Sequence, residues 1–167
     1  MAENEANAAQ QGGEKKTIQP QKVYVKDVSF ETPNSPLIFT KKWEPEIKVE
    51  FQNSAKEINT GLYEVVVILT VTTSVNGETA YLAEVHQAGI FVMQGFDAQD
   101  LHMKQNIFCM HFLYPYASAA ISDLVTRGGF PQLLLSPLNF EKIYADRVNS
   151  LRENAAGETE QTDTQQA

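Results

Sequence analysis

The chain has 167 residues, 43% hydrophobic and 20% charged, which is enough for one domain with a real core. Acids outnumber bases 21 to 13, and the formal charge of −8 argues against nucleic acid or anionic lipid as a partner and for basic or apolar ones. No run approaches the roughly 18 apolar residues of a membrane helix, and the single cysteine, Cys109, excludes an internal disulfide, so a reducing cytoplasm without direct membrane insertion is the expected setting.

Residues 1–16 and 153–167 are polar and rich in Ala, Asn, Gln, Glu and Thr, and are expected to be disordered tails around a folded domain spanning 17–152. Four strand-like segments come first. Residues 23–31 are rich in β-branched and aromatic side chains and stop at the turn signal Pro33-Asn34-Ser35-Pro36. Residues 46–52 alternate, with Ile47, Val49 and Phe51 on one face and Lys48, Glu50 and Gln52 on the other. Residues 62–75 place Tyr63, Val65, Val67, Leu69 and Val71 on a single face. Residues 79–93 follow the Asn76-Gly77 turn, and Gly89 within them suggests a bend or bulge.

Helical signals follow. Asp97, with Asp100 three residues on, is expected to cap a short helix ending near Ile107. Pro115 suits the first turn of a second helix with an apolar stripe of Ala117, Ala120, Ile121, Leu124 and Val125, stopped by Gly128-Gly129. Asn139 is placed to cap a third, with Phe140, Ile143, Tyr144, Val148 and Leu151 at helical spacing. Strands followed by helices predict an α+β domain with an antiparallel sheet.

Candidate chemistry is sparse. His86, His102 and His111 lack helical metal-site spacing, and Cys109 lies in an apolar run that suits a buried thiol. Glu84 and His86 share a strand face but have no nucleophile elbow or phosphate-cradling loop beside them, so no enzyme and no cofactor are expected. The unusual feature is the connection 130–138, which carries Leu133, Leu134, Leu135 and Leu138 between two helices. It either packs on the core or walls an open groove with Trp43, Tyr81 and Tyr144.

The chain carries, in this order, Tyr24-Val-Lys-Asp-Val-Ser-Phe-Glu-Thr-Pro-Asn34, Trp43-Glu-Pro-Glu46, Tyr63-Glu-Val-Val66, Tyr81-Leu-Ala-Glu-Val85, Gly89-Ile-Phe91, Tyr114-Pro-Tyr-Ala117, Arg127-Gly-Gly-Phe-Pro-Gln-Leu133 and Ser136-Pro-Leu-Asn-Phe140. In order and spacing these motifs resemble those of the SecB family of protein-export chaperones. The chain departs from the family pattern at Ser118-Ala119 and at Cys109-Met110-His111, near the helix that the family packs between dimers.

The resemblance implies a four-stranded antiparallel sheet with helices on one face, assembled as a homotetramer, a dimer of dimers. It implies an ATP-independent chaperone that binds unfolded precursor proteins in apolar grooves and delivers them to the SecA translocation ATPase. Trp43, Tyr81, Tyr144, Leu133 and Leu135 would then belong to the client groove. Asp27, Glu31, Leu82 and Glu84 would face SecA, and Ala83, Val85 and Gln87 would affect tetramer assembly. A chaperone dedicated to one client, or a small-molecule carrier, would be the alternative use of the same groove.

Strand parity adds an expectation independent of the resemblance. Asp27, Ser29 and Glu31 share one face of their strand, and Tyr24, Val28 and Phe30 the other. Leu82, Glu84 and His86 lie opposite Ala83 and Val85. A plain two-residue Asn76-Gly77 hairpin would set Glu84 among Val67, Leu69 and Val71. Hydrophobic consistency therefore demands an odd loop or a bulge, which turns Asp27, Glu31, Leu82 and Glu84 to solvent.

Overall fold

The computed structural model describes the backbone of residues 15–162, and side chains as far as residue 154. Four long strands form one antiparallel sheet: β1 (Thr17–Glu31), β2 (Pro45–Asn59), β3 (Leu62–Val75) and β4 (Glu78–Gln94), in the order β1-β4-β3-β2. The most apolar strands take the centre. Val65, Val67, Leu69 and Val71 of β3 and Ala83, Val85 and Phe91 of β4 are fully buried on one face. Three helices follow: α1 (Ala98–Asn106), α2 (Phe108–Arg127) and α3 (Phe140–Thr162). α2 lies across β3 and β4 and buries Met110, Leu113, Ala117, Ile121 and Val125, a stripe at steps of three and four residues.

The hairpin resolves the parity conflict in the way the hydrophobic pattern requires. Asn76 (φ 51°) and Gly77 (φ 77°) make a two-residue turn between the paired Val75 and Glu78. Ser74 then pairs with Thr79, but Thr73 pairs with Tyr81, so Ala80 is an extra residue in β4. That bulge switches the register, and Val71 meets Ala83, Leu69 meets Val85 and Val67 meets Gln87.

Three expectations change. The register shifts beside β4 lie in β1, between Pro20 and Lys22 and between Val25 and Asp27, whereas Gly89 pairs regularly with Val65. Gly89 instead makes room, because a Cβ there would sit 2.6 Å from the Phe91 ring and 2.9 Å from Leu113 Cδ2. The bulge at Lys26 carries Tyr24 to the face it was not expected to share, opposite Ala88 and beside Glu64. α2 starts at Phe108, seven residues before Pro115, which sits exposed inside the helix. Burial of Cys109, Met110 and Leu113 against the sheet outweighs the one backbone hydrogen bond the proline removes.

The other two caps form as expected. Asp97 accepts from the Asp100 amide, and Asn139 Oδ1 accepts from the Lys142 amide at 2.8 Å. α3 then continues to Thr162, so the domain boundary expected at 152 falls inside a helix whose later residues include good helix formers. Residues 1–14 and 163–167 of the two expected tails lie outside the described residues.

Candidate binding surfaces

On the helix side, an aromatic cluster is built around Phe130, which follows the glycine stop of α2. Its ring centroid lies 4.8 Å from Phe39, 4.9 Å from Tyr81, 5.7 Å from Trp43 and 6.5 Å from Phe30. Gly128 permits this approach, since a Cβ there would lie 2.3 Å from Phe30 Cζ. Tyr81 is 1% exposed and forms the floor, Trp43 is half-buried, and Phe39 is 50% exposed at the rim.

Beyond Phe130 the chain runs along α2 and leaves an open cleft of about 700 Å³. Leu133 and Leu135 turn partly onto the core, while Leu134 projects outward at 77% exposure. Tyr114 Oη donates to the Ser136 carbonyl at 2.8 Å and ties the connection to the helix. The opposite wall carries Pro115, Ser118 and Ala119. The 130–138 segment therefore packs partly on the core and also walls a cleft, but Trp43, Tyr81 and Tyr144, expected to share that groove, do not line it. Ser118 and Ala119, where the family pattern is departed from, are small residues on that wall.

Among the described residues, no helix covers the sheet's other face. Ser29 pairs with Glu84 and Glu31 with Leu82, which places Asp27, Glu31, Leu82 and Glu84 together on it, with Asp27 and Glu31 exposed and Leu82 and Glu84 half-buried. Glu84 accepts from Thr70 Oγ1 at 2.9 Å and meets His86 Nε2 at 2.8 Å. These bonds, the His86 one foremost, hold its carboxyl below the usual carboxylate range. Among the described residues, no lysine or arginine pairs with Asp27, Glu31 or Glu84. Further along, Glu64 is neutralised by Lys26 at 2.7 Å and accepts from the Tyr24 hydroxyl, whose pKa rises to about 12, chiefly through that bond. Asp27, Glu31 and Glu84, which no described lysine or arginine neutralises, thus collect at one end of the face.

With that geometry in view, the comparisons with known proteins are decisive. The family model for the preprotein translocase subunit SecB matches residues 10–151. The protein-export protein SecB of Methylococcus capsulatus is 46% identical over 135 residues, covering 81% of this chain and 87% of that one. That of Hydrogenovibrio crunogenus is 49% identical over 134 residues, covering 80% and 90%. The chain belongs to the SecB family.

Membership makes it a protein-export chaperone by family. The SecB relative of Marinobacter nauticus aligns over 98% of this chain and 99% of its own at 40% identity, so the likeness extends across the whole length. Among solved structures, the Mycobacterium tuberculosis Rv1957 SecB-like chaperone, in complex with a ChAD peptide from the Rv1956 HigA1 antitoxin, shares the fold. Its TM-score is 0.63 at 16% identity, with 73% of this chain and 91% of that one covered.

For a SecB-family protein, the expected site residues fall in several places. Trp43 and Tyr81 meet through Phe130. Leu133 and Leu135 line the α2 cleft. Tyr144 is in neither; it sits on α3 with its hydroxyl 3.0 Å from His102 Nδ1, in a separate cleft with Asn53 and Arg147. Ala83, Val85 and Gln87 are buried beneath the helices, and Gln87 Nε2 donates to the Tyr24 carbonyl at 2.9 Å. Within one chain they shape the sheet and offer no outer surface. Phe39 and Phe130 were not singled out from sequence. Phe130 stands in a recognisable Arg-Gly-Gly-Phe-Pro stretch, whereas Phe39 lies in a 3₁₀ turn without periodicity. Among the described residues, no helix is long and apolar enough to cross a membrane.

Proposed function

We propose that this chain is an ATP-independent cytoplasmic chaperone that holds unfolded secretory precursors on its helix side and delivers them to SecA through the acidic outer face. One observation carries the reading: an open apolar surface and a cluster of carboxylates that no described lysine or arginine neutralises lie on opposite sides of the same sheet. Exposed Phe39 and Leu134, with half-buried Trp43, Leu133 and Leu135, offer burial to apolar client side chains. Each such side chain gains about 1.5–3 kcal/mol when fully buried, with little dependence on sequence. The peptide held by the Rv1957 chaperone is in line with such a use of the fold. No step calls for a nucleotide or a cofactor.

On the other face, Asp27, Glu31 and Glu84 around half-buried Leu82 make a flat acidic site with an apolar anchor, suited to a basic segment of SecA. The helix layer also leaves apolar residues uncovered at both sheet edges: Val25 and Val28 on β1, Ile47 and Val49 on β2. That surface supports assembly as a dimer of dimers.

The test is charge reversal of Asp27, Glu31 and Glu84 to Lys in one protein. SecA affinity is expected to fall at least tenfold, and the wild-type affinity to weaken with salt, while client capture stays intact. Normal SecA binding by the triple variant would defeat the docking assignment.

A further inference from the structure

On the uncovered face of the sheet, His86 stands within the acidic cluster. Alternation along β4 puts it on the same face as Glu84, and pairing sets it opposite Asp27 of β1 and Ile68 of β3. Its Nε2 lies 2.8 Å from Glu84 Oε1, while Thr70 Oγ1 donates to Glu84 Oε2 at 2.9 Å, so both carboxylate oxygens are held. A carboxylate only accepts, so the neutral ring carries its proton on Nε2 and leaves Nδ1 to take up a second one. The His86 side chain is 27% exposed, so solvent reaches it.

The charged surroundings of the ring are one-sided. Asp27 faces it from β1, with Glu31 four residues on, and Glu84 lies beside it on β4. From β3 it meets Ile68 and Thr70, neither of them charged. Of the cations on this face, Lys26 bonds Glu64 at 2.7 Å and Lys48 bonds Glu50 at 3.0 Å. Lys22 and Lys56 lie further along, opposite Ile90 and Glu64. A second proton on His86 therefore sets a positive charge against Asp27 and Glu84, where the face is otherwise anionic. An imidazole changes charge between about pH 5 and 8, a range in which ordinary carboxylates and lysines keep theirs. Glu84 stays ionised there, since its hydrogen bonds hold its carboxyl below the usual range.

We propose that His86 sets the strength of the acidic docking site: neutral, it leaves Asp27, Glu31 and Glu84 to the partner's basic segment, and protonated, it competes with that segment for Asp27 and Glu84. The inference rests on the reading of this face as the SecA site. With the ring neutral, the segment meets three full negative charges around Leu82. With the ring protonated, one of those charges is offset from within, and the segment must displace an internal ion pair. Affinity is therefore full above the titration of the ring and falls as pH drops through it. By linkage, docking of the basic segment drives the second proton off His86 in the same measure.

The experiment titrates SecA into full-length wild type, His86→Gln and His102→Gln by calorimetry, at fixed ionic strength, between about pH 6 and pH 8. Glutamine keeps a donor for Glu84 but cannot titrate. SecA has titrating groups of its own, so the readout is the ratio of each variant's Kd to that of wild type at the same pH. Wild type and His86→Gln are expected to bind alike at the upper end. At the lower end wild type should bind about fivefold more weakly than His86→Gln, the size of one partly exposed charge pair. Calorimetry in two buffers of different ionisation enthalpy should show more protons released on docking to wild type than to His86→Gln. His102 is bonded to Tyr144 away from this face, and His102→Gln should follow wild type throughout. Parallel curves for wild type and His86→Gln, or a pH dependence that His102→Gln abolishes equally, overturn the proposal. If wild type binds SecA in those cases, the docking reading stands; if it binds at no pH, both fall.

Discussion

Glu84 shows how a single carboxylate reports on the outer face. Its hydrogen bonds to His86 and Thr70 lower its pKa in the folded protein relative to the unfolded chain. A depressed carboxyl stabilises the fold above the unfolded value, near pH 4.5, and loses that contribution as pH falls through the lowered one. Glu84→Gln should therefore unfold at lower urea than wild type near pH 7, with the gap closing below about pH 4. Urea midpoints measured across that range check it, and a gap independent of pH would mean that the bonds do not favour the ionised form. Glu64, through Lys26 and Tyr24, and Glu141 obey the same sign, so Glu84→Gln isolates one of three such groups among the described residues.

At the scale of elements, much was readable wherever one physical constraint dominated. β3 and the faces of β4 followed from alternation, and the Ala80 bulge followed from refusing to bury Glu84 among valines. Two cap residues, Asp97 and Asn139, announced their helices. What escaped needed knowledge of neighbours. Pro115 reads locally as a helix start, and only the sheet beneath Met110 and Leu113 reveals that the helix is already under way. Tyr24 changed face because of a bulge that nothing in residues 23–31 signals. The proposed client surface was legible as a set of residue types but not as one groove, since Tyr144 depends on how α3 lies against α1 and β2. Gly89 is the instructive case: its sequence context suggests a bend, whereas its role is contact. Gly89→Ala should cost about 1–3 kcal/mol by crowding Phe91 and Leu113. Gly77→Ala meets nothing within 4 Å and should cost about 1 kcal/mol through its positive φ. Denaturant titration ranks the two, and an equal or milder loss at Gly89 would contradict the close-approach account.

For the whole molecule, the uneven cover of the sheet matters most. One helix layer spans the central strands, and Val25, Val28, Ile47 and Val49 on the helix side of the edge strands are left open. We expect a tetramer at micromolar concentration by sedimentation. Val85 is a poor probe of that assembly, because it is fully buried and a charge there would cost the protomer its own core. Val28, 46% exposed in the single chain, is the better position. Val28→Glu should lower the oligomeric state while leaving the circular-dichroism spectrum unchanged, and a wild-type protein that sediments as a monomer would remove the basis for the assembly.

The central claim is that the helix-side surface holds unfolded chains. It is tested most directly by refolding a denatured secretory precursor with increasing amounts of this protein and no nucleotide. The account predicts a delay that grows with the amount added and saturates at a fixed stoichiometric ratio. Trp43→Ala, which opens the aromatic cluster at its rim, should need several-fold more protein for the same delay. Refolding at the same rate with and without the wild-type protein would contradict the claim, and an undiminished delay with Trp43→Ala would remove the aromatic cluster from it.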